Sequence, residues 1–554
     1  MPARRWLLAV WLCFLARAVF YCAALPIWEG YDEWAHFAVV QRMAFRGEGL
    51  VARDAPVGQD IAASLQTAAT PWDLRDYAPP SATHEAFWRL PAEERARRKE
   101  LFRGISHDAA LRDAPGNLKA YEGLQAPLSY WIMTPLLLAA RHAHLATQVL
   151  LLRWFSVALV SLIIPLSFLI ARHVFREDAV AIGCAAIVAV MPEFLIDIAR
   201  AGNDGIAALL FTLVIWLSLE TLREGLTRNR ALALGAALGL GLIAKAYFLT
   251  AIPPVAMLLF WKCRRPLALL VPLLAAAISG WWYVRNVITT STLTGMWESA
   301  LLHGGLGAQL RQIPRIRWGV AIDSILLSHI YHGAWSGLTV RSWMYHLFYA
   351  LIALAVVGLV ARASRPALLP ALLPAAFAGA FWLGQLYHVI PMFMVWGIPT
   401  SMGCYLYAIV AAEVVLCVAG LRALAPFARR YIAPAGVALF ALLDLYTIHM
   451  LAIPYYTGLI AHRPGGSLAA FYPGRADLSV VLPRLAAFKS SLLSEPLLAA
   501  LWMAYAAATI GLVAISFWTS RTQQFPLSRS AAASPETAAS GPTTPVPLPP
   551  TAAR

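Results

Sequence analysis

Charge is scarce in this chain of 554 residues: Asp, Glu, Lys and Arg make up 13%, against 60% hydrophobic residues. A soluble domain carries about 25% charged residues, so a soluble globular protein is excluded. Cysteine is scarce as well. Cys13, Cys22, Cys184, Cys263, Cys404 and Cys417 are scattered in or beside apolar segments. Their spacing forms neither a disulfide framework nor a zinc site, which leaves them as small apolar packing residues. Acidic residues are the rarer sign, 29 against 44 Lys and Arg, for a formal net charge of +15. In a soluble chain that excess would point to nucleic acid. Here most Lys and Arg punctuate apolar runs, so membrane orientation accounts for them and no nucleic-acid partner is implied.

The apolar runs, of about 20 residues each, identify an all-α, multi-pass helical membrane protein. They fall at 6–27, 151–171, 179–196, 205–221, 230–247, 248–261, 267–288, 343–361, 367–384, 402–421, 432–453 and 497–519. This predicts about 12 crossings with both termini cytoplasmic. The first run is longer than the apolar core of a signal peptide, and Ala18-Val19-Phe20-Tyr21 lacks the small residues of a processing site. It reads as an uncleaved span.

Arg4 and Arg5 place the N-terminus inside, so the loop 28–126 faces outward. Its Trp and Pro punctuation suggests short interfacial helices. Residues 127–140 are too few to cross and are interrupted by Pro135. Laid along the outer surface, they leave Arg172/Arg176, Arg223/Arg228/Arg230, Lys262/Arg264/Arg265, Arg362/Arg365 and Arg422/Arg429/Arg430 on the cytoplasmic side. Residues 231–261 hold one charge, Lys245, and read as a hairpin of two short arms. Two further outer loops follow, 289–342 with Arg311, Arg315, Arg317 and Arg341, and 454–494. The chain thus divides into a transmembrane module over 1–290, a second over 291–519, and a Pro-, Ser-, Thr- and Ala-rich cytoplasmic tail over 520–554 that reads as disordered. The setting is a cell (inner) membrane.

Within that topology the suggestive polar residues collect at the outer ends of spans. Asp32 and Glu33, with His36 close behind, sit where the first span emerges into water. A carboxylate is costly in hydrocarbon but stable at the interface, where it can meet a lipid-borne substrate. If Asp32 begins a helix, Trp34, Phe37, Val40 and Ala44 form an apolar side, while Asp32 and His36 share another. Such a helix would lie flat in the headgroup region and present Asp32 to the bilayer. The plainer reading is a solvated helix start, where carboxylates meet the helix dipole. Asp32 and His36 could also be two ligands of a divalent metal, but no third ligand is evident, and no metal is assigned.

The segment Tyr121 to Pro127, Glu193 with Asp197, and Arg200 to Asp204 share the same side, as do Lys245 and Arg285-Asn286. Asn203-Asp204 before an apolar run is a good helix N-cap. Lys245 lies between Ala244 and Ala246 and needs a partner. It either snorkels to the outer interface or holds a phosphate, as could Arg200, Arg285 or an arginine of the second outer loop. Glu413 and Asp444 fall near the middle of two consecutive spans without an evident role.

These residues resemble the GT-C superfamily of integral-membrane glycosyltransferases, which includes protein O-mannosyltransferases and lipid A aminoarabinose transferases. The acidic pair of the family's first outer loop is matched by Tyr31-Asp32-Glu33-Trp34-Ala35-His36-Phe37. Its Pro-Pro-Leu-Tyr-Tyr-like element is matched loosely by Gln125-Ala126-Pro127-Leu128-Ser129-Tyr130-Trp131, with Ala126 in place of one Pro. Arg153 then opens a span, Pro192 through Asp204 forms a Pro-led outer turn, and Gly241 to Lys245 gives a Gly-Leu-x-x-Lys element. The similarity covers about residues 1–290; further on, an Arg-Tyr element of some relatives stands here as Cys404-Tyr405.

The resemblance implies a sugar donor on a polyprenyl phosphate, an acceptor hydroxyl on a lipid, glycan or protein, and transfer with inversion outside the membrane. Asp32 would be the general base, with Glu33 and Asp204 in the acidic centre. His36, Asn203, Lys245, Arg200, Arg285 and Tyr130 would contact substrate. A transporter or flippase of lipid-linked saccharides is the main alternative, giving Glu413 and Asp444 coupling roles. Against it, the sequence shows no convincing internal repeat of the kind that marks many transporters. A ligase or polymerase on another helical scaffold is a third reading.

Overall fold

The computed structural model describes residues 2–262, 266–302, 305–361 and 370–522. Arg264, Arg265, Arg362 and Arg365, and residues 523–554 of the tail expected over 520–554, lie outside the described residues.

The protein is all-α: among the described residues, β pairing is confined to isolated bridges such as Pro56 with Lys119. It is a multi-pass membrane protein. Nine described helices are long and apolar enough to span a bilayer: Ala3–Ala24, Leu145–Phe175, Asp204–Glu224, Pro266–Thr290, Ser342–Ala361, Leu372–Trp396, Gly403–Leu424, Ile432–Tyr456 and Glu495–Thr522. Asp178–Val190 and Pro192–Ile198 form a tenth apolar segment, bent by 62°. The bend falls where Met191 is extended (ψ 119°) and Pro192, lacking an N–H, opens the second piece.

The remaining two expected arms, Arg228–Leu242 and Ala246–Lys262, are each too short to cross alone. Between them Lys245 is extended (φ −160°, ψ 145°), and the chain folds back so closely that a Cβ on Gly241 would collide with the Phe248 ring. The last helix continues through Thr522, past the point at which the tail was expected to begin.

Arg17 lies in the first apolar run, fully buried, and forms an ion pair with Asp444 at 2.7 Å. A charge at this depth requires a partner. Asp444 also accepts from Tyr21 (2.5 Å) and Tyr505 (2.6 Å), while Arg17 donates to Thr509 (3.0 Å) and to the carbonyls of Ala189 and Val190. One buried cluster therefore ties the first helix to the bent segment, to Ile432–Tyr456 and to Glu495–Thr522.

The first outer loop packs as a layer with its own apolar core, which includes Trp28, Trp34, Phe37, Ile61, Phe102 and Tyr130. The helix Glu33–Arg46 corrects the interfacial expectation. Residues 33 to 41 are all buried, so the helix is the centre of this layer and does not lie flat on a lipid surface. Its apolar side and the side carrying His36 are both covered by other parts of the loop, which the helical period alone did not foretell. The helix Leu128–Ala139 packs against it and, at 12 residues, is too short to cross.

Candidate active site

The first loop and the Pro192–Asp204 turn meet at Gly30. A Cβ there would sit 2.6 Å from the Cβ of Arg200, so glycine allows the two backbones to close. Arg200 is buried and acts as a clamp. It donates to the Tyr31 carbonyl, to Asp197 through both its carbonyl (2.9 Å) and its carboxylate (2.9 Å), and to Asp204. The residue before Asp32 is thus fixed to the residue that opens the helix Asp204–Glu224.

Asp32 has a left-handed backbone (φ 54°), uncommon for a residue with a Cβ, at the start of the helix Glu33–Arg46. Its side chain makes no cap bond to that helix; instead its Oδ1 accepts from the Tyr121 hydroxyl. Asp32 stays partly open, whereas its neighbours on the helix are buried. Burial raises its pKa, and the Tyr121 hydrogen bond and the charges of Arg200 and Lys245 act in the opposite direction.

Glu33 lies deeper. It is fully buried, and Arg153 grips it with two nitrogens at 2.7 and 2.5 Å while the Ala201 N–H donates to it at 3.1 Å. Arg153 also donates to the carbonyls of Cys22, Leu25 and Pro26. This pair anchors the acidic loop to the end of the first helix.

His36 and Tyr130 face each other, with Nδ1 2.8 Å from the hydroxyl. Burial and the positive charges of Arg200 and Lys245 hold the imidazole pKa well below its ordinary value, so His36 is neutral, while the Tyr130 hydroxyl also donates to the Glu122 carbonyl at 3.3 Å. The Glu122 carboxylate lies 3.6 Å from the same nitrogen. Burial and the nearby charge of Asp32 push Glu122 up to about 8, which makes it a neutral acid at pH 7.

Lys245 does not snorkel. From the extended break it forms an ion pair with Asp204 and donates to Asn203 Oδ1 at 3.1 Å. The Tyr405 and Tyr247 rings lie 4.7 and 5.6 Å from its ammonium. Asn203 precedes the helix without capping it, and its buried Nδ2 has no hydrogen-bond partner among the described residues. Arg285 stands apart, half-buried and stacked 5.0 Å from Trp282. Trp282 belongs to a small apolar cluster with Ala126 and Ile243, which borders the Lys245 break.

Glu193 completes the framework by accepting from Tyr31 (3.1 Å) and from the N–H groups of His332 and Gly333 in the second outer loop. The four arginines of that loop, Arg311, Arg315, Arg317 and Arg341, are exposed. Among the described residues no three His, Cys, Asp or Glu side chains converge as a metal site.

One partly open carboxylate therefore sits beside a neutral acid, a neutral imidazole and a buried array of two carboxylates and two cations. Such an array can take up a proton at Asp32 and stabilise negative charge developing near Lys245. Tyr121, Glu122 and Asp197, which the sequence places with the other polar residues at the outer ends of the spans without a role, belong to this centre, and so does Tyr405. Tyr121 and Glu122 lie six and five residues before Pro127, the one matched Pro of the Pro-Pro-like element.

No family model matches the sequence, and no curated protein matches it. Among solved structures, the fold is similar to the crystal structure of ArnT from Cupriavidus metallidurans in the apo state, with a TM-score of 0.45 and 14% identity over 94% of this chain and 78% of that one. The same protein bound to undecaprenyl phosphate gives a TM-score of 0.42 and 13% identity over 91% of this chain and 77% of that one. The Archaeoglobus fulgidus oligosaccharyltransferase in complex with zinc and sulfate gives a TM-score of 0.38 and 12% identity over 78% of this chain and 52% of that one.

Proposed function

We propose that this protein is a membrane glycosyltransferase of the GT-C type, which moves a hexosyl or pentosyl group from a polyprenyl-phosphate donor to an acceptor hydroxyl. The observation that carries this reading is the junction made by Arg200, which fixes the Tyr31–Asp32 corner and Asp204 to one another, with Lys245 on the far side of Asp204. Asp32 and Asp204 thereby belong to one charged centre, as a transferase using both requires.

In the proposed reaction Asp32 accepts the proton of the acceptor hydroxyl as its oxygen bonds to the anomeric carbon. The bond from that carbon to the phosphate oxygen breaks, its electron pair leaves with the lipid phosphate, and the configuration inverts. Lys245 and Arg200 supply positive charge toward the leaving group, while Asp204 holds both cations in place. The raised pKa of Asp32 suits a base, since a carboxylate nearer neutrality binds the proton more strongly. Glu33, His36, Asn203 and Tyr130 position these groups, and Arg285 serves at the edge of the site. The orientation that goes with this chemistry has both termini in the cytoplasm and the site on the outer face of a cell membrane.

The transport alternative needs both Glu413 and Asp444 to be titratable and to face a path. Asp444 is fully buried and bound by Arg17, Tyr21 and Tyr505, which favours a structural part for it. The transferase is tested by comparing envelope glycans, by mass spectrometry, in cells with and without the gene. Loss of one sugar addition supports it; an unchanged glycan profile together with accumulation of an intact lipid-linked saccharide on the inner leaflet refutes it in favour of translocation.

A further inference from the structure

Four cations gather around Trp88 with no acid paired to them. Arg95, Lys99 and Arg103 follow one another at four-residue spacing along the helix Ala92–Arg103 and so share a stripe, where like charges repel. Arg484 joins them from the third outer loop. Its guanidinium lies 5.1 Å from the centre of the Trp88 ring, and the Lys99 ammonium lies 5.5 Å from it. Glu94 of the same helix is held by Arg97 and Arg98, each at 2.8 Å, and among the described residues no carboxylate forms an ion pair with any of the four. Glu495 and Asp477 act on Lys99 and Arg484 only from a distance. Burial, and then the charges of Arg95, Arg103 and Arg484, hold Lys99 below the usual lysine range, and burial with Arg95 lowers Arg484 in the same way.

Two of the four have structural tasks. Arg95 donates to the carbonyls of Trp88 (2.9 Å) and Leu90 (2.8 Å), and Arg484 to that of Thr457 (2.7 Å). Lys99 and Arg103 make no hydrogen bond among the described residues, so loop packing leaves them unexplained.

The cluster stands where spans end. Trp88 donates through Nε1 to the carbonyl of Tyr456 (2.8 Å), the last residue of the span Ile432–Tyr456. The ring of Phe102, on the helix that carries the stripe, lies 5.2 Å from His144, just before the span Leu145–Phe175. It lies 5.3 Å from Phe488, shortly before the span Glu495–Thr522. Leu492 and Leu497, on either side of Glu495, are exposed. Lipid phosphates occupy this level, where hydrocarbon gives way to water.

We propose that Lys99, Arg103 and Arg484, together with Arg95, bind the phosphate of an anionic phospholipid headgroup at the bilayer surface, with its acyl chains against Leu492 and Leu497. Charge and place select that ligand. Ammonium and guanidinium groups donate to phosphate oxygens, and Arg does so with a fork of two N–H groups. A zwitterionic headgroup brings an ammonium that the four cations repel, so a headgroup of net negative charge is preferred. The site is independent of the sugar-transfer reading.

The test is photo-crosslinking of the full-length protein in phosphatidylcholine vesicles, followed by peptide mapping of residues 481–497. The vesicles carry a trace of phosphatidylglycerol or of phosphatidylcholine with a diazirine in the acyl chain near the glycerol. Phosphatidylglycerol should label the segment far more strongly than phosphatidylcholine. Each Lys or Arg near an anionic surface contributes about fivefold to binding, so Lys99→Gln/Arg103→Gln, which breaks no hydrogen bond, should cut that labelling roughly twentyfold. Lys99→Arg/Arg103→Lys should keep it. Equal labelling by the two lipids in the unmodified protein overturns the proposal, as does undiminished labelling in Lys99→Gln/Arg103→Gln. Inorganic phosphate should lower the labelling no more than chloride at the same ionic strength. If phosphate alone abolishes it, the site takes the free anion and the lipid assignment is overturned.

Discussion

Lys245 forms an ion pair with Asp204 from a point where the chain is extended between two short helices. The unwound step lets an ammonium leave an apolar run and enter the charged centre, where it pairs with Asp204 beside Arg200. Lys245→Met takes one of its two cations from the buried Asp204 and should lower stability by about 3–5 kcal/mol, the usual effect of breaking a buried pair. The double variant Lys245→Met/Asp204→Asn removes both members of the pair and should recover most of that loss in thermal unfolding. Sugar transfer should stay absent in both, because the cation is gone.

Arg17 and Asp444 give a second case in which structure and activity separate. Arg17→Met alone strands a carboxylate in the membrane interior and should cost about 3–5 kcal/mol. Arg17→Met with Asp444→Leu removes both charges and should be much milder. Detergent-solubilised unfolding curves measure the difference. If the double variant folds and still transfers sugar, Asp444 has no coupling role.

Glu122 makes stability depend on pH. Its folded pKa of about 8 lies above the ordinary 4.5, so the folded state binds more protons than the unfolded one across that window. Stability should therefore fall as pH rises from about 4.5 through 8. Glu122→Gln removes this titration, and its melting temperature should decline less between pH 6 and pH 9 than that of the unmodified protein.

Tyr121 tunes the proposed base. Its hydroxyl donates to Asp32 and favours the ionised form. Without that bond Asp32 holds its proton to higher pH, so Tyr121→Phe should move the acid limb of the rate profile upward. A hydrogen bond to a charged group is worth about 1.5–3 kcal/mol, which corresponds to roughly 1–2 pH units. A pH–rate series on reconstituted protein checks this.

Much of this was legible from the sequence, and the rest was not for identifiable reasons. The spans were visible because hydrocarbon forces apolar runs, and the polar residues at their outer ends stood out against them. Lys245 announced that it needed a partner; the partner itself was hidden because the contact depends on an unwound step that periodicity cannot register. Arg17 stands alone as a charge within the first run, and Asp444 stands alone within a late one. Two opposite charges in separate spans are a pairing signal, but one sequence does not say which spans touch. The helix after Asp32 has the alternation of a surface helix and is nevertheless buried, since the long loop folds over it. Glu122 stands in a suggestive polar segment, but its raised pKa comes from burial beside Asp32, which the sequence does not show.

The most direct measurement is sugar transfer by purified, reconstituted Asp32→Asn with a polyprenyl-phosphate-linked sugar as donor. Asparagine keeps the size of the side chain and can still meet Tyr121, so the protein should fold and insert as before. Transfer should fall to the background of protein-free vesicles. Full transfer by a well-folded Asp32→Asn protein would contradict the assignment of Asp32 as the base.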